Sequence, residues 1–306
     1  MHAAQSSITA ENNAAVRALE AWQAPRERIC YDPYAKLFLE RNLRGSADPP
    51  AQLATLISAW EAILPGVCNA ILARTRYIDD CLNNALNDGL KQLVILGAGY
   101  DTRARRFNLE RKGVRVFELD HPATQAAKLE RIRRNLSYRP PAVTYIPIHF
   151  DRDNLIRKLL GNDYDRFQST FFIWEGVTYY LSPAAVDATL ASIAQNAPDG
   201  SRIVFDYLPP SVADGTSDRM EARALNDILK QKGECIQFGL QPEKLTAFLN
   251  QRGFALMEHL SGSDCRERYF LGPNKNRPVS AIFAFVHACV QSIEQRRNRG
   301  IKKRGL

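Results

Sequence analysis

Four short apolar runs in the middle of the chain each stop at a glycine or an acid. KQLVIL (91–96) runs into Gly97-Ala98-Gly99, VRVFEL (114–119) into Asp120, VTYIPI (143–148) into His149-Phe150-Asp151, and TFFIW (170–174) into Glu175. Runs of this length, rich in Val, Ile and Phe, read as buried strands. The polar residue that follows each one therefore falls at a strand's C-terminal edge, where open α/β sheets bind their ligands. The glycine pair lets backbone approach a ligand closely and permits φ > 0. A complete dinucleotide fingerprint would add a third glycine three residues after Gly99, where Thr102 stands, so the loop is of nucleoside type. A plain strand-to-helix turn would use the same two glycines. Asp120 lies 21 positions after Gly99; at the end of the neighbouring strand it can accept both hydroxyls of a ribose, or it can cap the helix opening at Pro122. Asp151 can accept a hydrogen bond from an adenine amino group, with Phe150 against the base. Glu175 follows an apolar run in which a carboxylate is costly to bury without a cation, and a ligand ammonium would be one. Four such residues on one edge point to an adenosine-bearing, positively charged ligand.

The remaining elements frame that edge. Further strand-like runs are RIVFDY (202–207), FALMEHL (254–260) and VSAIFAFV (279–286), and helical patterns lie between most of the seven. This alternation is an α/β domain with a largely parallel sheet. Ser182 and Pro183 open a helix whose apolar face is Val186, Leu190 and Ile193, and Pro242 opens another that ends at Gly253. The stretch SGSDCRERYFLGPNKNRP (261–278) reads as turn-rich with no crossover helix, so the last strand pairs antiparallel. Residues 1–88 are read as an N-terminal helical cap packed on the core, 89–290 as the ligand-binding domain with a cap insertion at 208–240, and 291–306 as a basic tail.

The 306 residues, 45% hydrophobic and 24% charged, suffice for a sizeable core. No apolar run reaches the ~18–20 residues of a membrane span, and the N-terminus lacks a signal-peptide pattern, so a soluble, cytoplasmic protein is expected, with no membrane partner. Much of the net charge of +8 sits in the terminal QRRNRGIKKRGL. No aromatic–basic interleaving accompanies it, so no nucleic-acid partner is expected. The six cysteines form no C-x-x-C pair and are read as free, buried or half-buried thiols. No metal-ligand cluster is seen among the histidines.

LGAGYDTRARRF (96–107), FELDHPATQAAKLER (117–131), HFDRD (149–153) and EGVTYYLSPAAVDATL (175–190) together resemble the leucine carboxyl methyltransferase superfamily, in particular its bacterial S-adenosylmethionine-dependent O-methyltransferases of polyketide and related secondary metabolism. YDPYAKLF (31–38) and ARTRYIDD (73–80) resemble its N-terminal segments. The resemblance covers roughly residues 30–207. It implies a Rossmann-like class I methyltransferase fold: a seven-stranded, mostly parallel sheet with an antiparallel last strand, an N-terminal helical cap, and an insertion after strand five. It implies S-adenosyl-L-methionine as cofactor, with Gly97 and Gly99 at its methionine side, Asp120 on the ribose, Asp151 and Arg152 on the adenine, Glu175 near the amino end, and Arg74 or its neighbour Arg76 on the carboxylate. Tyr180 matches a position facing the acceptor. The relatives that methylate a C-terminal leucine place an arginine two positions after the HFD aspartate; here that position is Asp153.

The reaction so implied is transfer of a methyl group to a hydroxyl or carboxyl oxygen of a small-molecule acceptor, a polyketide or peptide-type secondary metabolite. A carboxylate needs no base, whereas an alcohol or phenol benefits from one. Tyr180, Asp206, Tyr207 and His149 are the polar groups expected nearest the strand ends. The alternatives are a protein C-terminal carboxyl methyltransferase, an NAD(P)-dependent oxidoreductase, which the missing third glycine disfavours, and a non-catalytic cofactor-binding module.

Overall fold

The computed structural model describes residues 8–39, 46–134, 142–231 and 233–292. Its strands are β1 (Gln92–Leu96), β2 (Arg115–Asp120), β3 (Thr144–Pro147), β4 (Thr170–Trp174), β5 (Arg202–Tyr207), β6 (Phe254–Ser261) and β7 (Ala284–Val290). They form one sheet in the order β3-β2-β1-β4-β5-β7-β6. β1 to β5 pair in parallel, and β7 runs antiparallel to both β5 and β6. The expected seven-stranded sheet with its antiparallel last strand is therefore present. β1 and β4 are buried along their whole length, as central strands covered on both faces must be. The edge strands are blunted: β3 ends in Pro147 and β6 carries a bulge between Leu256 and Glu258, both of which discourage pairing with another chain.

The helices are α1 (Ile8–Trp22), α2 (Pro49–Ile63), α3 (Val67–Asn87), α4 (Arg103–Arg106), α5 (Pro122–Arg133), α6 (Leu155–Leu160), α7 (Pro183–Asn196), α8 (Pro210–Ala213), α9 (Met220–Gln231), α10 (Leu245–Gln251) and α11 (Gly262–Tyr269). Alternate strand residues divide the core into two halves. Leu93, Ile95, Phe171 and Val204 pack with Tyr77, Ile78 and Leu82 of α3, while Val94, Leu96, Phe172 and Ile203 pack with Leu190 and Ile193 of α7 and Leu249 of α10. Ser182 caps α7 through Ala185 N, as its sequence implies. α1 lies on α3. The segment after β5 holds α8 and α9 and returns along residues 233–241, where Gln237 N and Phe238 N both donate to Tyr179 O.

Two expectations from the sequence are corrected. The last apolar run reads as a strand over 279–286, but the strand begins only at Ala284, because Ser280 N donates to Gly66 O and ties the first half of that run to the start of α3. The stretch after β6, read as turn-rich, contains a helix, α11, held by a reciprocal capping box between Ser261 and Asp264; it is no crossover, since β6 and β7 pair antiparallel as expected. Its polar sequence hid it, since only Gly262 and Cys265 are buried. The basic terminal run from residue 293 lies outside the described residues. No single described helix is long and apolar enough to cross a membrane.

Gly66 and Gly262 hold the 279–281 segment between them. A Cβ on Gly66, whose φ is +75°, would lie 2.5 Å from Ser280 N, and one on Gly262 would lie 2.2 Å from Ser280 O. Both obstacles are backbone and cannot swing aside. Gly66→Ala and Gly262→Ala are each expected to destabilise the fold by at least ~2 kcal/mol, the scale of overpacking. Gly272→Ala, where φ is +56° and nothing lies within 4 Å, should cost only about 1 kcal/mol of backbone strain. Urea unfolding midpoints of the three variants test this ranking.

Candidate active site

The C-terminal ends of β1 to β4 open into a cavity of about 580 Å³, within the ~300–1,000 Å³ usual for small-molecule sites. Its floor is the Gly97–Arg103 loop, Asp120-His121, Ile148–Arg152 and Glu175–Val177. One wall comes from α1 through Thr9, Ala10, Asn13 and Arg17. Another comes from Tyr180, Leu181 and the return leg of the insertion, Gly233 to Gln237. Of the residues singled out in the sequence, Gly97, Gly99, Asp120, Asp151, Arg152, Glu175 and Tyr180 all line this one space.

Gly97 and Gly99 have φ of +70° and +45°, a region open chiefly to glycine. Gly97 has a second reason to lack a side chain: its Cβ would lie 2.3 Å from Val177 Cγ2. Gly97 N and Ala98 N both donate to Leu119 O, which holds the loop against the end of β2. Asp120 completes the turn. Its Oδ2 accepts from Gly99 N at 2.5 Å and its Oδ1 from His121 N at 2.7 Å. Burial pushes this carboxyl up to about 6, against the pull of those two N–H groups. Each oxygen keeps a free lone pair for a further donor.

Glu175 shows where sequence reasoning stopped short. The cation that its burial demands is in the protein itself, since Oε1 accepts from Arg74 Nε at 3.0 Å and Oε2 from Arg103 Nη1 at 2.8 Å. Despite desolvation, Arg103 and Arg74 hold it down at about 2. Arg103 also donates to Asp79 and to Asp101, and Asp79 receives both terminal nitrogens of Arg106. Arg17 pairs with Asp32 at 2.9 Å and donates to Tyr100 O. Arg74 and Arg76 part company: Arg74 is 2% exposed, while Arg76 makes a surface pair with Asp80. Two residues along a helix are about 200° apart, so both could not face inward. Arg74 stands behind the cavity wall, its Nη2 buried without an acceptor.

The other residues separate. Asp151 and Arg152 are exposed at the rim, and the His121 and His149 rings meet edge-on at 4.7 Å. Burial, with His149 adding to it, keeps His121 below the ordinary imidazole range. Asp153 does not face the cavity; its carboxylate accepts His149 N and closes the turn. Of the polar groups expected at the strand ends, Tyr180 and His149 reach the cavity. Asp206 is buried against Arg74, and Tyr207 turns away to His259 Nε2 at 3.0 Å. Among the cysteines, Cys235 is the exposed exception and lies on the wall.

The model of the leucine carboxyl methyltransferase family matches residues 10–194. The chain belongs to that family. A Bacillus subtilis relative, provisionally named an S-adenosyl-L-methionine-dependent methyltransferase, is 31% identical over 219 residues, 71% of either chain. One from Mycobacterium sp. (strain KMS), named in the same way, is 31% identical over 268 residues, covering 82% of this chain and 85% of its own. Among solved structures, a provisionally named methyltransferase of Thermobifida fusca aligns with 95% of this chain and 97% of its own at a TM-score of 0.56 and 14% identity. The fold is thus that of the class I methyltransferases, and the chain is an S-adenosylmethionine-dependent methyltransferase.

The cavity fits that cofactor. Six carboxylates face it against four guanidiniums, which suits a sulfonium cation. Asp120 has lone pairs to spare for a diol, and Arg74 has an unused N–H group for a carboxylate. The sequence did not single out Arg17, Asp32, Asp79, Asp101, Arg103 or Arg106. Only Asp79, on the apolar face of α3, carried a local signal of burial; the others lie in turns or near further charges, and their pairing depends on the fold.

Glu175, held well below its usual value of 4.5, stabilises the fold above about pH 4.5, and that contribution is lost as pH falls toward 2. It amounts to the order of 3 kcal/mol. Glu175→Gln is expected to lower stability at neutral pH by that amount and to differ less from the parent as pH approaches 2. Chemical unfolding between pH 2 and 7 measures both.

Proposed function

We propose that this methyltransferase acts on an oxygen of a small-molecule acceptor, with a carboxylate ahead of a hydroxyl. The observation that carries the reading is Tyr180. It lines the cavity between α1 and the return leg of the insertion, and burial pushes its phenol well above the usual range, so it stays protonated and donates a hydrogen bond rather than acting as a base. A protonated phenol can orient an ionised carboxylate, which needs no base. His121 and His149 of the floor follow the ends of β2 and β3. The alternative, a hydroxyl acceptor, draws support from Glu234, close enough to raise the Tyr180 phenol further and available as a base. The resemblance brings with it an acceptor of the polyketide or peptide-type secondary-metabolite class. Protein C-terminal methylation is disfavoured by Asp153, which closes a turn where an arginine would be wanted.

S-adenosylmethionine supplies the chemistry, a methyl group on a positively charged sulfur that an oxygen nucleophile takes in line. The protein's part is to position and to exclude water. In this reading Asp120 holds the ribose, and Asp151 and Arg152 hold the adenine. Gly97 and Gly99 let backbone meet the methionine half, Glu175 faces its ammonium, and Arg74 its carboxylate. Thr9, Ala10, Asn13 and Arg17 of α1, with Gly233 to Gln237 of the insertion, bound the acceptor side.

Two measurements test the assignment. Asp120, at about 6 in the free protein, favours its ionised form when two hydroxyls donate to it, so binding lowers its pKa. Cofactor binding should release protons between about pH 5 and 6 and weaken as pH falls through that range. Calorimetry in buffers of different ionisation enthalpy reads this directly, and Asp120→Ala should bind ~10- to 100-fold more weakly with no proton release. For the acceptor, product analysis after incubation with carboxylic and hydroxylic candidates identifies the methylated oxygen. With a carboxylate, kcat/KM should stay flat from pH 7 to 9, and Tyr180→Phe should raise the acceptor KM ~10-fold; a rate that climbs with pH would favour the hydroxyl alternative.

A further inference from the structure

Asp206 is fully buried at the end of β5, yet it lines no part of the cavity. Its two oxygens are divided between two partners. Oδ1 accepts from Gly176 N at 2.6 Å, and Oδ2 accepts from Arg74 Nη1 at 2.7 Å. Its own backbone carbonyl is held by the Thr178 hydroxyl. With Nη1 on Asp206 and Nε on Glu175 at 3.0 Å, the plane of the Arg74 guanidinium is fixed at two corners. Nη2 is the third corner and has no acceptor in hydrogen-bond geometry; the buried Tyr179 phenol interacts with the guanidinium as a weaker neighbour.

Gly176 decides where Nη2 is directed. It lines the cavity, its φ is +70°, and a Cβ placed on it would lie 3.4 Å from Arg74 Nη1 and 3.5 Å from Nη2. A side chain of any size at this position would therefore sit against the guanidinium and cover it. Glycine leaves no side chain between the cavity and this cation, which lies behind the wall with Nη2 out of solvent contact, so a ligand seated against Gly176 has only backbone to pass. A buried N–H left without a partner is costly, and a ligand carboxylate arriving at Gly176 would satisfy it.

We infer that Asp206 is a positioning residue that aims Arg74 past Gly176 at the carboxylate of the cofactor's amino-acid end. This rests on the placement of the cofactor given above. The anchor is thus a layered device: an acid on β5 sets the backbone of Gly176 and the orientation of the arginine behind it in one step.

The test compares two ligands. S-adenosylhomocysteine carries the carboxylate, whereas 5′-methylthioadenosine keeps the adenosyl thioether and lacks the amino-acid end. Calorimetric titration of Asp206→Asn should show ~10- to 100-fold weaker binding of the first, the scale of a lost charged hydrogen bond, and unchanged binding of the second. Gly176→Ala alters no charge and should give the same selective loss by covering Nη2. Equal weakening of both ligands in both variants would mean a merely structural role and would overturn the proposal, as would unchanged binding of both. Failure of the parent protein to bind either ligand would instead overturn the cofactor placement. Thermal unfolding of each variant accompanies the titrations, and the thioether ligand serves as the internal control for any loosening of the fold.

Discussion

The structure turns on a buried array of opposite charges in and behind the cavity floor and walls. Arg17, Arg74, Arg103 and Arg106 are matched by Asp32, Asp79, Asp101, Glu175 and Asp206. Ions of this kind are expensive to take out of water, and their mutual attraction repays that cost only where geometry is good and remaining donors are satisfied. Here the array draws in one residue each from α1, the segment after it (Asp32), the end of β4 and the end of β5, two from α3, and three from the glycine loop and α4. Those elements cannot shift independently without stranding a charge. The shape of the cavity therefore follows from electrostatics as much as from apolar packing.

That arrangement explains how a site for a cationic cofactor can be assembled before the cofactor arrives. Glu175 stays ionised because guanidiniums surround it, whereas Asp120, with only backbone N–H groups for partners, is pushed up toward neutrality. Two carboxylates on one sheet edge thus have opposite tendencies for opposite reasons. Glu175 is a fixed negative charge, and Asp120 is a carboxylate whose ionisation is tied to whatever donates to it. In the proposed reading, such a site contributes positioning rather than acid–base chemistry to methyl transfer.

Much of this was legible in the residues. Strand ends that stop at Gly97, Asp120, Asp151 and Glu175 follow from local composition, and one parallel sheet is enough to bring them to the same edge. The capping of α7 by Ser182 is equally local. What stayed hidden depended on contacts distant in sequence. The α11 helix is held by a capping box and little burial, so periodicity could not show it. The start of β7 is displaced because Ser280 belongs to Gly66, more than two hundred residues earlier.

The sequence by itself determined the fold class and pointed to one sheet edge for an adenosine-bearing cation, because strand composition, glycine conformation and acid spacing are short-range properties; the type of cofactor came from the family resemblance. Only the tertiary structure decided which charges are buried together. Arg74 rather than Arg76 faces inward because the helix phase of α3 is set by its packing on β4 and β5. Gly97 owes its lack of a side chain to Val177 as well as to its φ. Glu175 finds its cations in Arg74 and Arg103, and Asp206 is drawn behind the wall instead of into the cavity. Charge pairing across such separations is a property of three-dimensional proximity, and no one-dimensional pattern encodes which arginine will meet which acid.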